Sequence, residues 1–448
     1  MKAFLVLAVA LCAPQGIAQT LSWRIQLPVN VPTSRSSPAM AEDGVNGGVV
    51  MFGGLGSAGP LGDTWTWDGS DWTATTPKTA PSPRWGAGAA WDPVRKVVVL
   101  FGGLGTGVLG DTWEWDGTGW TLVQPTTAPP ARYEHGMTYD SASGKVLLYG
   151  GQTATEALGD TWTWDGKAWT KVADLYPIPR YRPSMALDET RKVVVLFGGY
   201  GGEPQRTLSD TWEWDGAQWK PMLYANRPSS NWSDMVWDDL RKRCLLRYEH
   251  GPMYLYENGG WTYLGATAKE PAGRMRSGFA YDRTRSQTVL FGGELYFPLQ
   301  DTWVLDDGPV PGRWVPYGKA CGPTPLVDLS SPDTPRLGKP LQVVVGNLTD
   351  KATIALLAVG AGRTSFGNFP LPIPMDAYGM TGCLALHDFA AGTWAMSVSG
   401  SSATLGLTVP NTASLLQTIV YFQGIVYDPT GNPAGLLMTQ GAQLLIGQ

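Results

Sequence analysis

Histidine, cysteine and charge are all scarce in this chain of 448 residues. Three His in total leave little room for a multi-histidine metal centre, so neither a metal site nor a cofactor is expected. Lys and Arg number 33 against 38 Asp and Glu, a net charge of −5. That balance excludes an electrostatic nucleic-acid binder, which carries a basic excess. Beyond the N-terminus no apolar run approaches the roughly 18 residues of a membrane span. No Gly-rich phosphate loop, zinc spacing or nucleophile elbow is present. Against these shortages stand 57 Gly, 35 Pro and 21 Trp within a chain that is still 43% hydrophobic. Such a composition is rich in turns but apolar enough to fold.

The first 18 residues read as an address. Met1 and Lys2 begin a basic region, Ala3 to Ala13 is an apolar run, and Gly16 to Ala18 supplies small residues before a cleavage point. This is the pattern of a secretory signal peptide, so the mature protein is expected outside the cytosol: secreted, periplasmic or on the cell surface. Export permits disulfides. Cys12 leaves with the signal, and Cys321 and Cys383 are the candidate pair. Their bond would close a loop of about 62 residues, worth roughly 4 kcal/mol by the chain-entropy argument. Cys244, in an apolar strand, reads as a buried thiol.

Internal repetition dominates the rest. Gly pairs at Gly53, Gly102, Gly150, Gly198 and Gly292 follow apolar strands. Asp-Thr-Trp recurs at Asp63, Asp111, Asp160, Asp210 and Asp301, at 48 to 50 residues through the first four repeats. A further Trp follows each, at Trp72, Trp120, Trp169, Trp219 and Trp314. A degenerate repeat spans 230–261, where Arg247 and Tyr248 stand for the Gly pair, Pro252 for the Asp, and Trp261 closes the unit. Each repeat reads as four short antiparallel strands, the second buried on both faces. Six such meanders without a helix predict an all-β chain, a six-bladed β-propeller over 19–316. Leu21 to Leu27, around Trp23, resembles an outer strand with no repeat of its own and is expected to complete the sixth blade, so either the Trp23 or the Trp314 strand is displaced, or that blade takes a fifth strand.

The pattern resembles the kelch repeat of secreted galactose-oxidase-like proteins of bacteria. It has the Gly pair after strand two, then an aromatic residue, six intervening residues and a Trp, as from Trp65 to Trp72 and from Trp113 to Trp120. The resemblance implies a kelch-type propeller and carries little about function. A copper site of the galactose-oxidase kind needs two His and two Tyr, one crosslinked to Cys. Only His135 and His250 lie in the repeats, at different positions.

Charged residues recur with the repeats. Arg35, Arg84, Arg132, Arg180 and Arg274 each fall eight residues before the Asp that ends strand one. Strand one and strand three start at the same end of a meander. The arginines are therefore expected to pair with Asp63, Asp111, Asp160, Asp210 and Asp301 as structural elements. Two residues further on, the occupants diverge: Ser37, Gly86, Glu134, Arg182, Trp232 and Arg276. Divergence at equivalent positions is where a specific site arises. Tyr200, Glu203 and Arg206, then Tyr248 and His250, and Tyr296 share that face on the loops between strands two and three. These residues are the ligand-binding candidates, with the site biased towards repeats four to six.

After residue 316 a Pro-rich linker is expected over 317–340, then a small Ig-like β-sandwich over 341–448. The stretch from Phe369 to Pro374, with Tyr378 and Cys383, resembles a C-terminal module of secreted bacterial repeat proteins. The function expected is that of an exported, monomeric, non-catalytic binding protein, holding a glycan or an envelope protein on one face of the disc. A kelch epimerase of sialic acid, with Glu134 as base and Arg182 or Arg276 as carboxylate clamp, is the enzymatic alternative. A structural surface role is the third.

Overall fold

The computed structural model describes residues 21–174, 176–223, 228, 233–249, 251, 253–265, 270–306, 314–317, 328–331, 340–360, 365–366, 369–370, 373–374, 384–385, 392–408, 419–429 and 436–445. These residues form strands and turns, with no helix among them and so none long and apolar enough to cross a membrane. The chain divides into two compact units, one spanning Leu21–Asp307 and the other containing Gly308–Gln448. The expected signal peptide and the Cys321–Cys383 bond lie outside the described residues.

The first unit holds six four-stranded antiparallel sheets among its described residues. Sheet two is representative. Gly88–Asp92, Val97–Leu104, Val108–Trp115 and Trp120–Val123 pair in chain order. Its second strand is apolar on both faces because neighbouring sheets cover both, and Val98 to Phe101 are at most 1% exposed. Asp92 ends the first strand and accepts the backbone N–H of Val94 and Arg95, which pins the turn.

The first strands of the six sheets lie side by side in chain order, and Ala39–Asp43 also lies beside Gly278–Asp282. A repeated aromatic contact links sheets one to two, two to three, three to four, four to five and six to one. Phe101 of sheet two meets Trp169 of sheet three at 5.1 Å, and Phe291 of sheet six meets Trp72 of sheet one at 5.2 Å. Each of these Trp residues also donates its indole N–H to a Thr of the preceding sheet. Trp120 bonds Thr64 at 3.0 Å, Trp169 bonds Thr112 at 2.9 Å, and Trp72 bonds Thr302 at 2.9 Å. The second residue of the Asp-Thr-Trp motif is thus an acceptor for the neighbour.

Ser22–Gln26 pairs antiparallel with Thr302–Asp306, Trp23 opposite Leu305, and completes the sixth sheet. Trp314–Tyr317 pairs instead with Leu436–Leu445 in the second unit. A sheet edge accepts one strand, so the compact unit stops at Asp307, short of the expected 316. A second correction concerns repeat five. Asp238 pairs with Arg243, as Asp92 pairs with Val97. By that register Tyr248 and Glu249 replace the Gly pair. Arg247 takes the place that Phe101 fills in sheet two, and Met253 the place of Thr112. The indole N–H of Trp23 and all three guanidinium nitrogens of Arg247 accordingly have no hydrogen-bond partner among the described residues.

In the second unit, two sheets share one core. The larger joins Trp314–Tyr317, Leu436–Leu445, Ile419–Tyr427, Ile354–Gly360 and Gly392–Ala395, and the smaller joins Asp328–Ser330, Pro340–Gly346, Ser402–Thr408 and Ser397–Ser399. Val343 and Val345 of one sheet pack with Leu357, Val359 and Phe422 of the other.

Candidate functional site

The five repeat arginines are almost fully buried and each grips its Asp with both terminal nitrogens. Arg35 meets Asp63, Arg84 meets Asp111, Arg132 meets Asp160 and Arg180 meets Asp210, each at 2.6 Å, and Arg274 pairs with Asp301 in the same way. Each also donates to the carbonyl of the first glycine of its pair, as Arg84 does to Gly102 at 3.0 Å. Burial pushes the five carboxyls up. The hydrogen bond and charge of each arginine, with the indole of the following Trp, outweigh it and leave them below their ordinary value.

A carboxylate with a depressed folded value stabilises the fold above the unfolded value and loses that contribution as pH falls through the folded one. Melting temperature should therefore fall as pH drops below about 4. The slope should be shallower in Asp111→Asn. Equal slopes in the two proteins would count against the linkage.

Two residues beyond each arginine the chains meet. Ser37, Gly86, Glu134, Arg182 and Arg276 all adopt left-handed backbone, with φ of 49°, 64°, 56°, 55° and 60°. Their main chains join sheet to sheet. Ser37 N–H donates to Arg276 O at 2.7 Å, Gly86 to Ser37 at 3.0 Å, Glu134 to Gly86 at 2.7 Å, and Arg182 to Glu134 at 2.7 Å. The equivalent residue of sheet five, Trp232, lies outside the described residues, as does His250. Left-handed backbone costs a non-glycine residue about 1–2 kcal/mol. Only Gly86 occupies the position free of strain. Large charged side chains at Glu134, Arg182 and Arg276 therefore persist against a backbone cost.

These three side chains converge on a cavity of about 170 Å³. Arg182 bonds Glu134 directly, Arg276 approaches the same carboxylate at 3.8 Å, and Gln152 donates to it at 2.9 Å. Arg276 is also held by Glu294 at 2.7 Å. Burial pushes the Glu134 carboxyl up to about 7, against the pull of Arg276 and Gln152. Below it, burial holds the His135 imidazole down at about 3, so it is neutral.

An aromatic rim adjoins the cluster. Trp85 and Tyr133 pack edge to face at 5.3 Å, and the guanidinium of Arg276 lies 5.8 Å from the Trp85 ring. Tyr181 packs on Tyr200 at 5.5 Å, with their strands paired. Trp85, Tyr133 and Tyr181 were not among the sequence-derived candidates. The signal was available, since each directly follows a repeat arginine. Other candidates lie elsewhere. Tyr248 is buried among Trp237, Cys244 and Trp261, because its register places it on a central strand rather than a loop. Glu203, Arg206 and Tyr296 are exposed on outlying loops.

Towards the far ends of the first strands a further cavity of about 180 Å³ is lined by Trp91, Tyr139, Trp237 and Tyr281. Its Arg283 is committed to Glu42 and Asp239 at 3.3 and 3.1 Å, which leaves less free polar chemistry there. No protein-family model matches this chain, and no curated protein matches it.

Proposed function

We propose that the chain is an exported, non-catalytic, kelch-type six-bladed propeller that holds a glycan in the Glu134–Arg182–Arg276 cup, followed by a β-sandwich. The indole bonds that Trp72, Trp120, Trp169, Trp219 and Trp261 make to the preceding sheet, and the pairing of Ser22–Gln26 with Thr302–Asp306, support a closed ring. The glycan reading rests on one observation: three long charged side chains kept on strained left-handed backbone around one cavity, beside the rings of Trp85, Tyr133 and Tyr181. Guanidinium and carboxylate pairs suit the vicinal hydroxyls of a sugar, and aromatic faces suit its C–H face. The segment before Leu21 supports export.

Glycine already occupies the equivalent position at Gly86, so Arg182→Gly removes the side chain and relieves the backbone. On a glycan array the mature chain should bind, and Arg182→Gly should bind at least about tenfold more weakly while remaining folded, since Gln152 and Arg276 still face Glu134. Undiminished binding by the variant would move the site elsewhere. Absence of any glycan ligand would favour a protein partner.

A second reading is sugar epimerisation, favoured by the buried carboxyl of Glu134 with its raised pKa. Turnover of a sialic acid that is lost in Glu134→Gln would establish it.

A further inference from the structure

A second feature of the same unit is a ring of sulfur. Three residues before the Asp that ends each first strand stand Met40, Ala89, Met137, Met185, Met235 and Phe279. Four of the 13 methionines in the chain thus share one repeat position. All six side chains line a single cavity of about 190 Å³ between the first strands, together with His135.

Glycines make room for the sulfurs. The Sδ of Met40 fills the place of a side chain on Gly278, and the Sδ of Met185 does the same at Gly136. Around Gly88 two donors meet. The Nε2 of His135 and the Sδ of Met137 lie 2.6 and 2.8 Å from the point where a Cβ would stand.

His135 is otherwise hard to account for. It is 8% exposed, and neither ring nitrogen has a hydrogen-bond partner among the described residues. Its one ring contact is with Phe101 at 5.7 Å. An uncharged imidazole buried without a partner forfeits the free energy of a hydrogen bond, which a bound metal would replace.

No group of three or more His, Cys, Asp or Glu among the described residues is placed to hold a metal. Among those residues, then, the usual hard and borderline donors form no such cluster. That does not bear on thioethers. A donor set of one imidazole and several thioethers is soft, and it selects Cu(I) and its analogue Ag(I) over zinc, magnesium or calcium. Asp234 also lines the cavity, where it accepts a hydrogen bond from Ser277 at 2.7 Å and faces Arg247 across the strand pair. We propose that this channel binds a soft monovalent cation, with His135 and Met137 as its first ligands and Met185 as the nearest further donor in chain order.

Silver, which needs no reductant, is the probe. Ag(I) is titrated calorimetrically into the mature full-length chain and into Met137→Leu/Met185→Leu. Leucine nearly conserves volume at these positions, so the variant should melt close to the unsubstituted chain, checked without metal. Silver held by cysteine thiols is common to both proteins and cancels. The expected result is one tight equivalent fewer in the variant, or a loss of about tenfold or more in its affinity. Nitrogen-15 spectra of the unsubstituted chain provide the second measurement, in which the His135 ring resonances should shift on addition of one equivalent. Equal titrations with an unmoved His135 would overturn the proposal, and an unmoved His135 would do so alone if the variant failed to fold.

Discussion

Asp160→Ala should lower stability by about 3–5 kcal/mol, the largest single effect expected from a charged residue here. Arg132 is fully buried and its Asp160 partner nearly so, at 0% and 9% side-chain exposure. Removing the carboxylate strands a guanidinium that no water reaches, and it also takes the acceptor from the Trp162 indole, bonded at 2.7 Å. Only the carbonyls of Gly150 and Pro130 would still face the arginine. An exposed ion pair would show a loss of under about 1 kcal/mol. Chemical denaturation distinguishes the two. Removing both charges, in Arg132→Met/Asp160→Ala, should restore much of the loss, because the cost lies in the unpaired charge rather than in the missing bond. A double variant as unstable as the single one would contradict that account.

The second large effect is expected from an indole. Trp23→Ala should cost about 3–5 kcal/mol. Trp23 is 1% exposed and packs with Val236, Leu245 and Met253 of sheet five and with Leu290 and Leu305 of sheet six. One side chain from the extreme N-terminal strand thus seals a seam between sheets built from residues more than 200 positions later. Truncation after Leu27 should do more harm than the point substitution. It removes the indole and also leaves Thr302–Asp306 as an unpaired edge, open to pairing between molecules. Thermal melting with light scattering reads both. Full stability in the truncated chain would mean that the strand contributes nothing to the first unit.

Much of this arrangement was legible in the residues. The Arg-to-Asp spacing foretold pairs that meet at 2.6 Å, because a meander returns strands one and three to the same end. The period of 48 to 50 residues marked out the sheets. That the Trp23 segment completes the sixth sheet was legible from its spacing to Arg35, which repeats the spacing from Trp72 to Arg84. Where the Trp314 strand goes instead was not, since pairing across the whole chain has no local signature. Arg247 was misplaced by one position for a related reason. Once the Gly pair is lost, only the cross-strand register identifies what replaced the aromatic ring, and a one-residue slip turns every side chain to the other face.

At the cup, divergence among equivalent positions singled out Glu134, Arg182 and Arg276. Their left-handed backbone was hidden, since an ordinary L-residue carries no mark of positive φ and only Gly86 hinted at it. Loop length does not mark the aromatic rim, since the long loops lie in repeats four to six while Trp85 and Tyr133 sit directly after the arginines of repeats two and three. The sulfur ring was hidden for a chemical reason. A search for metal ligands that counts imidazoles and thiols passes over thioethers, which in isolation read as core.

The proposed closed ring is tested most directly by native-state hydrogen exchange at Ser22–Gln26. Those amides have one partner strand, Thr302–Asp306, at the other end of the unit. Closure predicts that the hydrogen-bonded amides among them exchange only through opening as costly as that of the central strand Val97–Leu104. Exchange of the whole segment at the rate of an unstructured peptide would contradict it.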